Sequence, residues 1–174
     1  MLEKGYKPDM VTHSSLIDGL CRDKKLDIAL DIWNRVLNKG FGVDIIMHNI
    51  LIHGLCSVGR TEEALHIYLE MKGKGCSPNL VTHNTLMDGL YEVGNCEKAA
   101  DIWDEMLEAG LQPDIISYNT VFKGLCACNK TSEAVELLED ALRRGLVPTN
   151  ITWSILVRAI FNSEIVQTSV ACVL

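Results

Sequence analysis

Apolar side chains recur along this chain at the spacing of an α-helix, in stripes that end at a glycine. In one stretch the apolar positions are Val81, Leu86, Met87 and Leu90. Their spacing is close to the helical period of about 3.6 residues. A second stripe runs from Ala99 to Leu107 and stops at Gly110, and Pro113 prevents the helix from continuing. No stretch alternates polar and apolar residues for long enough to indicate a strand, so the pattern predicts a helical hairpin.

The hairpin pattern recurs every 35 residues. The segment LVTHNTLMDGL, which begins at residue 80, has counterparts that begin at residues 10, 45, 115 and 150. A fixed period of roughly 20–50 residues is typical of a solenoid, in which each unit buries its apolar face against its neighbours. We number positions 1 to 35 within each unit. The pattern predicts four complete repeats, at 10–44, 45–79, 80–114 and 115–149, and the first helix of a partial repeat at 150–161.

The two ends of the chain depart from this pattern. Residues 1–9 align with residues 106–114, which predicts that they are the end of a truncated repeat. Residues 162–174, NSEIVQTSVACVL, do not follow the second-helix pattern and are predicted to be a non-repeat tail. We therefore expect the sequence to be a piece of a longer array or to begin at an internal methionine, and we expect no targeting peptide in it.

Three positions hold similar residues in every complete repeat. Position 10 is glycine, which costs about 1 kcal/mol relative to alanine in the middle of a helix, so its recurrence predicts that a neighbouring helix approaches closely there. Position 20 is alanine for the same reason, and position 24 is aromatic or leucine, which predicts packing in the core or between repeats. These residues are Gly19, Gly54, Gly89 and Gly124; Ala29, Ala64, Ala99 and Ala134; and Trp33, Tyr68, Trp103 and Leu138. At position 15, Gly59, Gly94 and Asn129 favour a left-handed helix cap, and Lys24 is expected to be the exception.

The composition and charge limit the classes of protein to consider. The chain is 48% hydrophobic and 22% charged, which is the balance of an ordinary globular protein, and no apolar run is long enough to span a membrane. The formal net charge is −7. This charge weighs against indiscriminate nucleic-acid binding, because such binding depends on Lys and Arg neutralising phosphates. It leaves open the reading of exposed bases on a single strand.

Cysteine and histidine recur at fixed positions, but their replacements indicate packing and not metal chemistry. Position 12 holds Cys21, Cys56, Tyr91 and Cys126, and position 4 holds His13, His48, His83, Tyr118 and Trp153. Because aromatic residues replace both types, we predict side-chain packing there in place of a disulfide framework or metal ligands. Cys126 and Cys128 lack a second close pair, so no zinc site is predicted. The odd total of seven cysteines fits a reducing compartment.

The repeat as a whole resembles the pentatricopeptide repeat family, in its plain class of 35-residue units. The unit at 80–114, LVTHNTLMDGLYEVGNCEKAADIWDEMLEAGLQPD, follows that family's motif of V-V-T-Y-N-T-L-I-D-G-L-C, a glycine turn, an Ala-rich second helix, E-M and a closing P-D. The resemblance covers residues 1 to about 161. It implies an all-α fold, a right-handed superhelical α-solenoid of helix-turn-helix repeats, with positions 2 and 5 on one concave surface.

The resemblance also implies a function, which is sequence-selective binding of single-stranded RNA with one base per repeat. Members of the family act mostly in mitochondria and chloroplasts. The expected localisation is therefore one of these organelles, and the expected role is to support organellar RNA processing, stability or translation. The resemblance implies no enzymatic activity, no cofactor and no membrane. The expected partners are single-stranded RNA and proteins of an RNA-processing complex.

The base-contacting positions of the family carry over to this chain residue by residue. Positions 5 and 35 of a unit are implied to read the base edge, and they are Ser14 with Asp44, Asn49 with Asn79, Asn84 with Asp114, and Asn119 with Thr149. All eight side chains are short and carry donors or acceptors for a Watson–Crick edge. The position 2 residues of adjacent units are implied to sandwich the base, and they are Val11, Ile46, Val81, Ile116 and Ile151.

Helix structure alone offers another explanation for two of these positions. Asp, Asn and Thr directly before a helix are good N-caps, which would explain position 35. Apolar residues at position 2 would be explained by packing at the helix start. Position 5 has no such explanation, because Ser and Asn are mediocre helix formers and here they lie inside the first helix.

The pairing rules of the family imply an RNA core of 5′-G-C-U-(C/U)-3′, read in the order of the repeats. The family often places Lys at position 13 to meet phosphate. That position holds Arg22, Ser57, Glu92 and Ala127 here. Only Arg22 is cationic, and Glu92 would repel phosphate, so we expect weak binding by these repeats alone.

Other functions are compatible with the same repeats. Related helical-hairpin arrays bind peptides, so a protein-binding scaffold is one alternative. A second is a non-functional fragment of a longer RNA-binding array, and a third is part of an RNA-processing enzyme whose catalytic residues lie on other sequence. The polar and varied residues at positions 5 and 35 favour RNA.

Overall fold

The structure, a computed structural model, describes residues 9–38, 44–158 and 161. These residues form eight helices, α1 (Met10–Arg22), α2 (Leu26–Asn38), α3 (Ile45–Cys56), α4 (Thr61–Gly73), α5 (Leu80–Glu92), α6 (Cys96–Glu108), α7 (Ile115–Ala127) and α8 (Thr131–Arg143). Residues 150–158 are helical as well, and no residue in the described ranges lies in a strand. The prediction of an all-α helical-repeat solenoid is confirmed. The predicted truncated repeat, apart from Asp9, and the predicted tail lie outside the described residues.

The described residues divide between Gly89 and Leu90, within α5, into two compact units. In the N-terminal unit α1 packs against α2 and α3, and α3 packs against α4. In the C-terminal unit α7 packs against α8. Because only a short turn separates the two helices of a repeat, they fold back on one another. The alanines at position 20 are buried in both units, as predicted from their recurrence.

A left-handed residue at position 15 ends the first helix of each repeat. The φ angle is 58° at Lys24, 78° at Gly59, 77° at Gly94 and 58° at Asn129. The next amide then donates to the carbonyl of position 11, as Lys25 does to Leu20 at 2.9 Å. The expectation that Lys24 would be an exception is wrong. The helix-ending hydrogen bonds offset the cost of about 1 kcal/mol that a β-carbon adds in this conformation.

The glycines at position 10 lie against the side chain at position 12 of the preceding repeat. A β-carbon on Gly54 would lie 2.6 Å from Cys21 Sγ, and one on Gly89 would lie 2.6 Å from Cys56 Sγ. Gly124 makes the same contact with the ring of Tyr91. The predicted close approach is therefore confirmed for these three glycines. Gly19 in the first repeat differs, because a β-carbon there would meet no described atom within 4 Å.

Aromatic rings at position 24 pack edge-on against position 4 of the next repeat. The ring centroids of Trp33 and His48 are 4.8 Å apart, and those of Trp103 and Tyr118 are 5.2 Å apart. Tyr68 and His83 pack in the same way, with centroids 5.7 Å apart. The prediction that position 4 serves ring packing is confirmed at His48, His83 and Tyr118. Trp153, which ends this series, is half exposed.

One pair of cysteines departs from the expectation of reduced thiols. Cys96, at the start of α6, forms a disulfide with Cys128, at the end of α7, with 6.8 Å between their Cα atoms. The two residues occupy different positions in their repeats, so the repeat pattern contained no signal for this pairing. Cys21 and Cys126 at position 12 are free thiols, in agreement with their predicted packing role.

The neutral histidine at position 4 of the second repeat is held in one tautomer. Its Nδ1 lies 2.9 Å from the carbonyl oxygen of Asp44, so Nδ1 carries the hydrogen and donates it. Its Nε2 is buried and has no hydrogen-bond partner among the described residues. A second proton would therefore be placed on a buried atom with no acceptor. Burial lowers the pKa of His48 below its usual value of 6.5.

A pair of matched glycine substitutions should separate helix propensity from packing. Gly19→Ala should increase the free energy of unfolding by about 0.5–1 kcal/mol, because alanine is the better helix former and the site is open. Gly54→Ala should decrease it by about 1–3 kcal/mol, because the new methyl group overlaps Cys21. Urea denaturation of both variants measures the difference. Equal effects of the two substitutions would contradict the close approach at position 10.

Acid should destabilise the fold through His48. The unfolded chain binds a proton at this residue at a higher pH than the folded chain does, because the pKa is lowered on folding. The stability that this residue contributes is thus present above pH 6.5 and lost as the pH falls below it. Urea denaturation near pH 7.5 and near pH 5.5 should give a smaller free energy of unfolding at the lower pH. His48→Tyr, which introduces the residue found at Tyr118, should reduce that difference, and an unchanged difference would count against this assignment.

Candidate functional site

The residues at position 2 are exposed in every repeat, although all are large and apolar. Between 56% and 72% of their surface is accessible for Val11, Ile46, Val81, Ile116 and Ile151. Valine and isoleucine are among the residue types most often buried, so a row of exposed ones requires an explanation. The exposure argues against the alternative that they pack at the helix start. Because β-branching restricts χ1, they present a stiff apolar surface to solvent.

The residues at position 35 cap the helices that follow them. A side-chain oxygen accepts a hydrogen bond from the backbone amide three residues later, at 2.9 Å for Asp44, 3.0 Å for Asn79, 2.8 Å for Asp114 and 3.4 Å for Thr149. The capping explanation is therefore correct for the geometry of this position. Capping satisfies a free amide at each helix start and accounts for the polar residue there.

Capping uses only one of the two polar atoms of each Asp or Asn. The second atom is Oδ2 in Asp44 and Asp114 and Nδ2 in Asn79. None of these three atoms hydrogen bonds to a described residue. Among the described residues, the buried side-chain atoms that lack a partner do not include any of the three. At the same place, therefore, an aspartate offers an acceptor and an asparagine offers a donor.

The residues at position 5 are half-buried within the first helix, and their polar atoms are directed by the protein. The Ser14 hydroxyl donates its hydrogen to the carbonyl of Met10 at 2.9 Å, so only its lone pairs remain available. Asn49 Oδ1 and Asn119 Oδ1 accept hydrogen bonds from threonine hydroxyls, and their Nδ2 atoms make none to the described residues. Asn84 Oδ1 is buried without a partner among those residues.

Sequence reasoning missed a set of buried hydroxyls at position 3. Thr82 Oγ1 lies 2.7 Å from Asn49 Oδ1 and 3.1 Å from Asn79 Oδ1, so it joins the two members of one predicted pair. In the C-terminal unit, Thr152 Oγ1 lies 2.8 Å from Asn119 Oδ1 and 3.2 Å from the Thr149 hydroxyl. The signal in the sequence was the recurrence of hydroxyl residues at this position, which holds Thr12, Met47, Thr82, Ser117 and Thr152.

The structure brings two of the four predicted pairs together in this way. Ser14 and Asp44 lack a bridging hydroxyl, because position 3 of the next repeat is Met47. Asn84 belongs to the N-terminal unit and Asp114 to the C-terminal unit, where Ser117 Oγ donates to Asp114 Oδ1 at 3.0 Å.

The charges at position 13 are more balanced than the sequence suggested. Arg22 pairs with Asp18 at 2.7 Å, but both side chains are exposed, so this pairing is weak and leaves the guanidinium accessible. Glu92 lies 3.4 Å from Lys123 Nζ. The expected repulsion of phosphate by Glu92 is therefore partly offset by a neighbouring cation.

Other kinds of site are not formed by the described part of the chain. It contains no group of three or more His, Cys, Asp or Glu side chains arranged to hold a metal ion. In the same ranges no helix is both long enough and apolar enough to cross a bilayer.

Known sequence families and solved structures match this chain along most of its length. A sequence model described as the PPR repeat family, where PPR stands for pentatricopeptide repeat, matches residues 43–92, 79–127 and 113–162. A second model, described as PPR repeat, matches residues 4–35. No curated protein sequence matches the chain.

Two of the similar structures are of the maize protein PPR10. The crystal structure of PPR10 has a TM-score of 0.83 and 24% identity, and the match covers 93% of this chain and 23% of that chain. The structure of PPR10 in complex with an 18-nt psaJ RNA element has a TM-score of 0.80 at 24% identity, with coverage of 93% and 24%. This chain therefore spans about a quarter of the PPR10 chain.

A third similar structure comes from Arabidopsis thaliana. It is the PPR domain of protein-only RNase P 1 in complex with tRNA. The TM-score is 0.71 at 18% identity, and the match covers 88% of this chain and 81% of that one. At these identities the likeness establishes the helical-repeat fold.

Truncation of an exposed position 2 residue should leave the fold intact. Ile46 and Ile52 lie in the same helix, α3, but Ile46 is 60% exposed and Ile52 is fully buried. We expect Ile46→Ala to change the free energy of unfolding by less than about 0.5 kcal/mol and Ile52→Ala to decrease it by about 2–5 kcal/mol. Urea denaturation measures both. A large loss for Ile46→Ala would mean that position 2 is a packing position.

Proposed function

Since the chain belongs to the pentatricopeptide repeat family, we propose that it binds single-stranded RNA, one base per repeat, through positions 2, 5 and 35. The observation that carries this proposal is the arrangement of polar atoms at positions 5 and 35. The protein uses one polar atom of a side chain for its own hydrogen bonds and leaves the second available at Asp44, Asn49, Asn79, Asp114 and Asn119. The exposed aliphatic side chains at position 2 lie in the first turn of the helices that carry position 5.

The available atoms match the Watson–Crick edges of particular bases. Ser14 and Asp44 both offer acceptors, which suits the two N–H groups of guanine. Asn49 and Asn79 both offer donors, which suits the O2 and N3 acceptors of cytosine. This matching is independent of the family's pairing rules, and it leads to the same bases.

The same reasoning extends to the third and fourth repeats. Asn84 offers a donor and Asp114 an acceptor, which suits O2 and N3–H of uracil. Asn119 offers a donor, and the Thr149 hydroxyl can donate or accept, which suits either pyrimidine. The proposed core is thus 5′-G-C-U-(C/U)-3′.

Electrostatics limits the strength of this binding. Each base held between side chains contributes about 1–3 kcal/mol in comparable single-strand sites, and association costs of similar size oppose it. The net charge of −7 and the scarcity of cations at position 13 provide little attraction for phosphate. We expect dissociation constants that are about micromolar or weaker for the isolated chain.

The proposed biological role follows from binding RNA without catalysing a reaction. A protein that covers a short stretch of RNA acts by blocking a nuclease, opening a hairpin or placing a partner. We propose that this chain supports organellar RNA processing, stability or translation in a mitochondrion or chloroplast, the compartments in which the family mostly acts. Proteins of an RNA-processing complex are the proposed additional partners.

A single exchange at position 35 tests base reading against helix capping. In Asn79→Asp the capping oxygen is retained, and the second atom changes from a donor to an acceptor. The preference at the second base should move from C towards U by about fivefold or more. Competition between 5′-GCUC-3′ and 5′-GUUC-3′ cores, each within a longer unstructured strand, measures the change.

The matched control is the reciprocal exchange, Asp114→Asn, which should move the third base from U towards C. Asp and Asn cap helices about equally well, so urea denaturation should show unchanged stability for both variants. If the base ratios do not change while the variants stay folded, position 35 is only a cap and the base-reading proposal is wrong.

A further inference from the structure

We infer that Thr82, at position 3, is a positioning residue that orients the base-reading pair of the repeat before it; this inference rests on the proposed function. Thr82 is fully buried, so it does not touch RNA itself. Its Oγ1 lies 2.7 Å from Asn49 Oδ1 and 3.1 Å from Asn79 Oδ1. One hydroxyl therefore contacts both side chains that are assigned to the second base.

The hydrogen bonds made by the Thr82 hydroxyl set the preferred direction of the Asn49 carboxamide. A hydroxyl has one hydrogen to donate and two lone pairs to accept with. The backbone amide of Asn79 donates to Oγ1 at 3.2 Å, which uses an acceptor. The hydrogen is directed to Asn49 Oδ1, the nearer of the two oxygens. Rotating the carboxamide by half a turn would place Nδ2 beside Oγ1, where it could donate to the second lone pair while the hydroxyl hydrogen turned to Asn79 Oδ1 at 3.1 Å. The 2.7 Å separation is typical of an O–H···O bond and shorter than the usual N–H···O distance of about 2.9–3.0 Å, so the orientation with Oδ1 towards Thr82 and Nδ2 towards a ligand is favoured.

The same arrangement occurs a second time in the C-terminal unit. Thr152 is fully buried, and its Oγ1 lies 2.8 Å from Asn119 Oδ1. The backbone amide of Thr149 donates to that Oγ1 at 3.0 Å, as Asn79 does to Thr82. Two separate repeats thus use a position 3 hydroxyl to hold the oxygen of a position 5 asparagine.

The first repeat shows why a hydroxyl is needed only with asparagine. Ser14 has no second polar atom that could be exchanged by rotation, and it donates to its own helix at Met10. The following position 3 residue is Met47, which is buried and has no hydroxyl. Asn84, in contrast, has a buried Oδ1 without a partner among the described residues.

The orientation has a consequence for base choice. With Nδ2 outward, Asn49 and Asn79 offer two donors, which match the two acceptors of cytosine. With the carboxamide reversed, Asn49 would direct its oxygen at the O2 oxygen of cytosine, whereas adenine has a C2–H group at that place and still offers N1 as an acceptor to Asn79. The buried hydroxyl therefore disfavours adenine at the second base, although it lies out of reach of the RNA.

The test removes this hydroxyl with little change in shape. Thr82→Val keeps the β-branched side chain and the backbone amide that Asn79 caps. In competition binding to the full chain, using 5′-GCUC-3′ and 5′-GAUC-3′ cores that differ only at the second base, the preference for C over A should fall by about fivefold relative to the wild-type protein. Thr82→Ser, which keeps the hydroxyl, should retain the wild-type preference.

A matched control uses the same substitution where no reading pair is present. Thr12 occupies position 3 of the first repeat and is exposed, and among the described residues its amide and its hydroxyl both bond to Asp9. Thr12→Val should therefore leave the C-over-A ratio unchanged. Thr152→Val provides a second test in the other unit, read at the fourth base, in case Thr82→Val fails to fold.

The outcomes separate this inference from the proposed function. If wild type fails to bind RNA or shows no preference at the second base, both are wrong. If wild type prefers C and folded Thr82→Val and Thr152→Val keep the wild-type ratios, only the positioning role is wrong. An equal loss of the C-over-A preference in Thr12→Val or in Thr82→Ser would also overturn the positioning role, because the effect would not depend on the bridging hydroxyl.

Discussion

The contact between a position 10 glycine and the position 12 side chain of the preceding repeat sets the spacing of the first helices. In α5, a β-carbon on Gly89 would lie 2.6 Å from Cys56 Sγ in α3, so the α5 backbone touches the α3 side chain directly. A β-carbon at Gly54, Gly89 or Gly124 would push the helices apart. Because the packing requires this close approach of the two helices, glycine occurs at position 10 despite its cost in helix propensity.

This spacing determines what the polar positions can do. Asn49 and Cys56 lie seven residues apart in α3, as do Thr82 and Gly89 in α5. The hydrogen bond from Thr82 to Asn49 and the contact of Gly89 with Cys56 therefore connect two parallel helices at points two turns apart, about 10.5 Å along the axis. The Thr82 hydroxyl can reach Asn49 in the neighbouring helix because Gly89, two turns further along, lets the Cys56 side chain lie directly against the α5 backbone.

The sequence allowed the helical-repeat fold to be predicted, because the fold depends on the period, while the base-contacting roles of positions 2, 5 and 35 stay predictions. A fixed period repeats every packing contact, so the glycines, alanines and rings were recognisable without coordinates. The Cys96–Cys128 disulfide was not, because those residues lie at unrelated repeat positions. The left-handed Lys24 was missed because the turn around it outweighs the preference of the residue. The bridging role of Thr82 depends on distances between helices, which a pattern does not contain.

The double use of position 35 explains how one fold can present different hydrogen-bonding groups without losing stability. The helix start requires an acceptor, which restricts this position to a few short polar residues. Asp44 and Asn79 meet that requirement with equivalent oxygens and differ only in the atom that points away from the cap. Because the cap admits so few residues, this atom alone would distinguish few bases in the proposed RNA binding. In that proposal the second group comes from position 5, where the helix imposes no cap and where a neighbouring hydroxyl contacts the side chain.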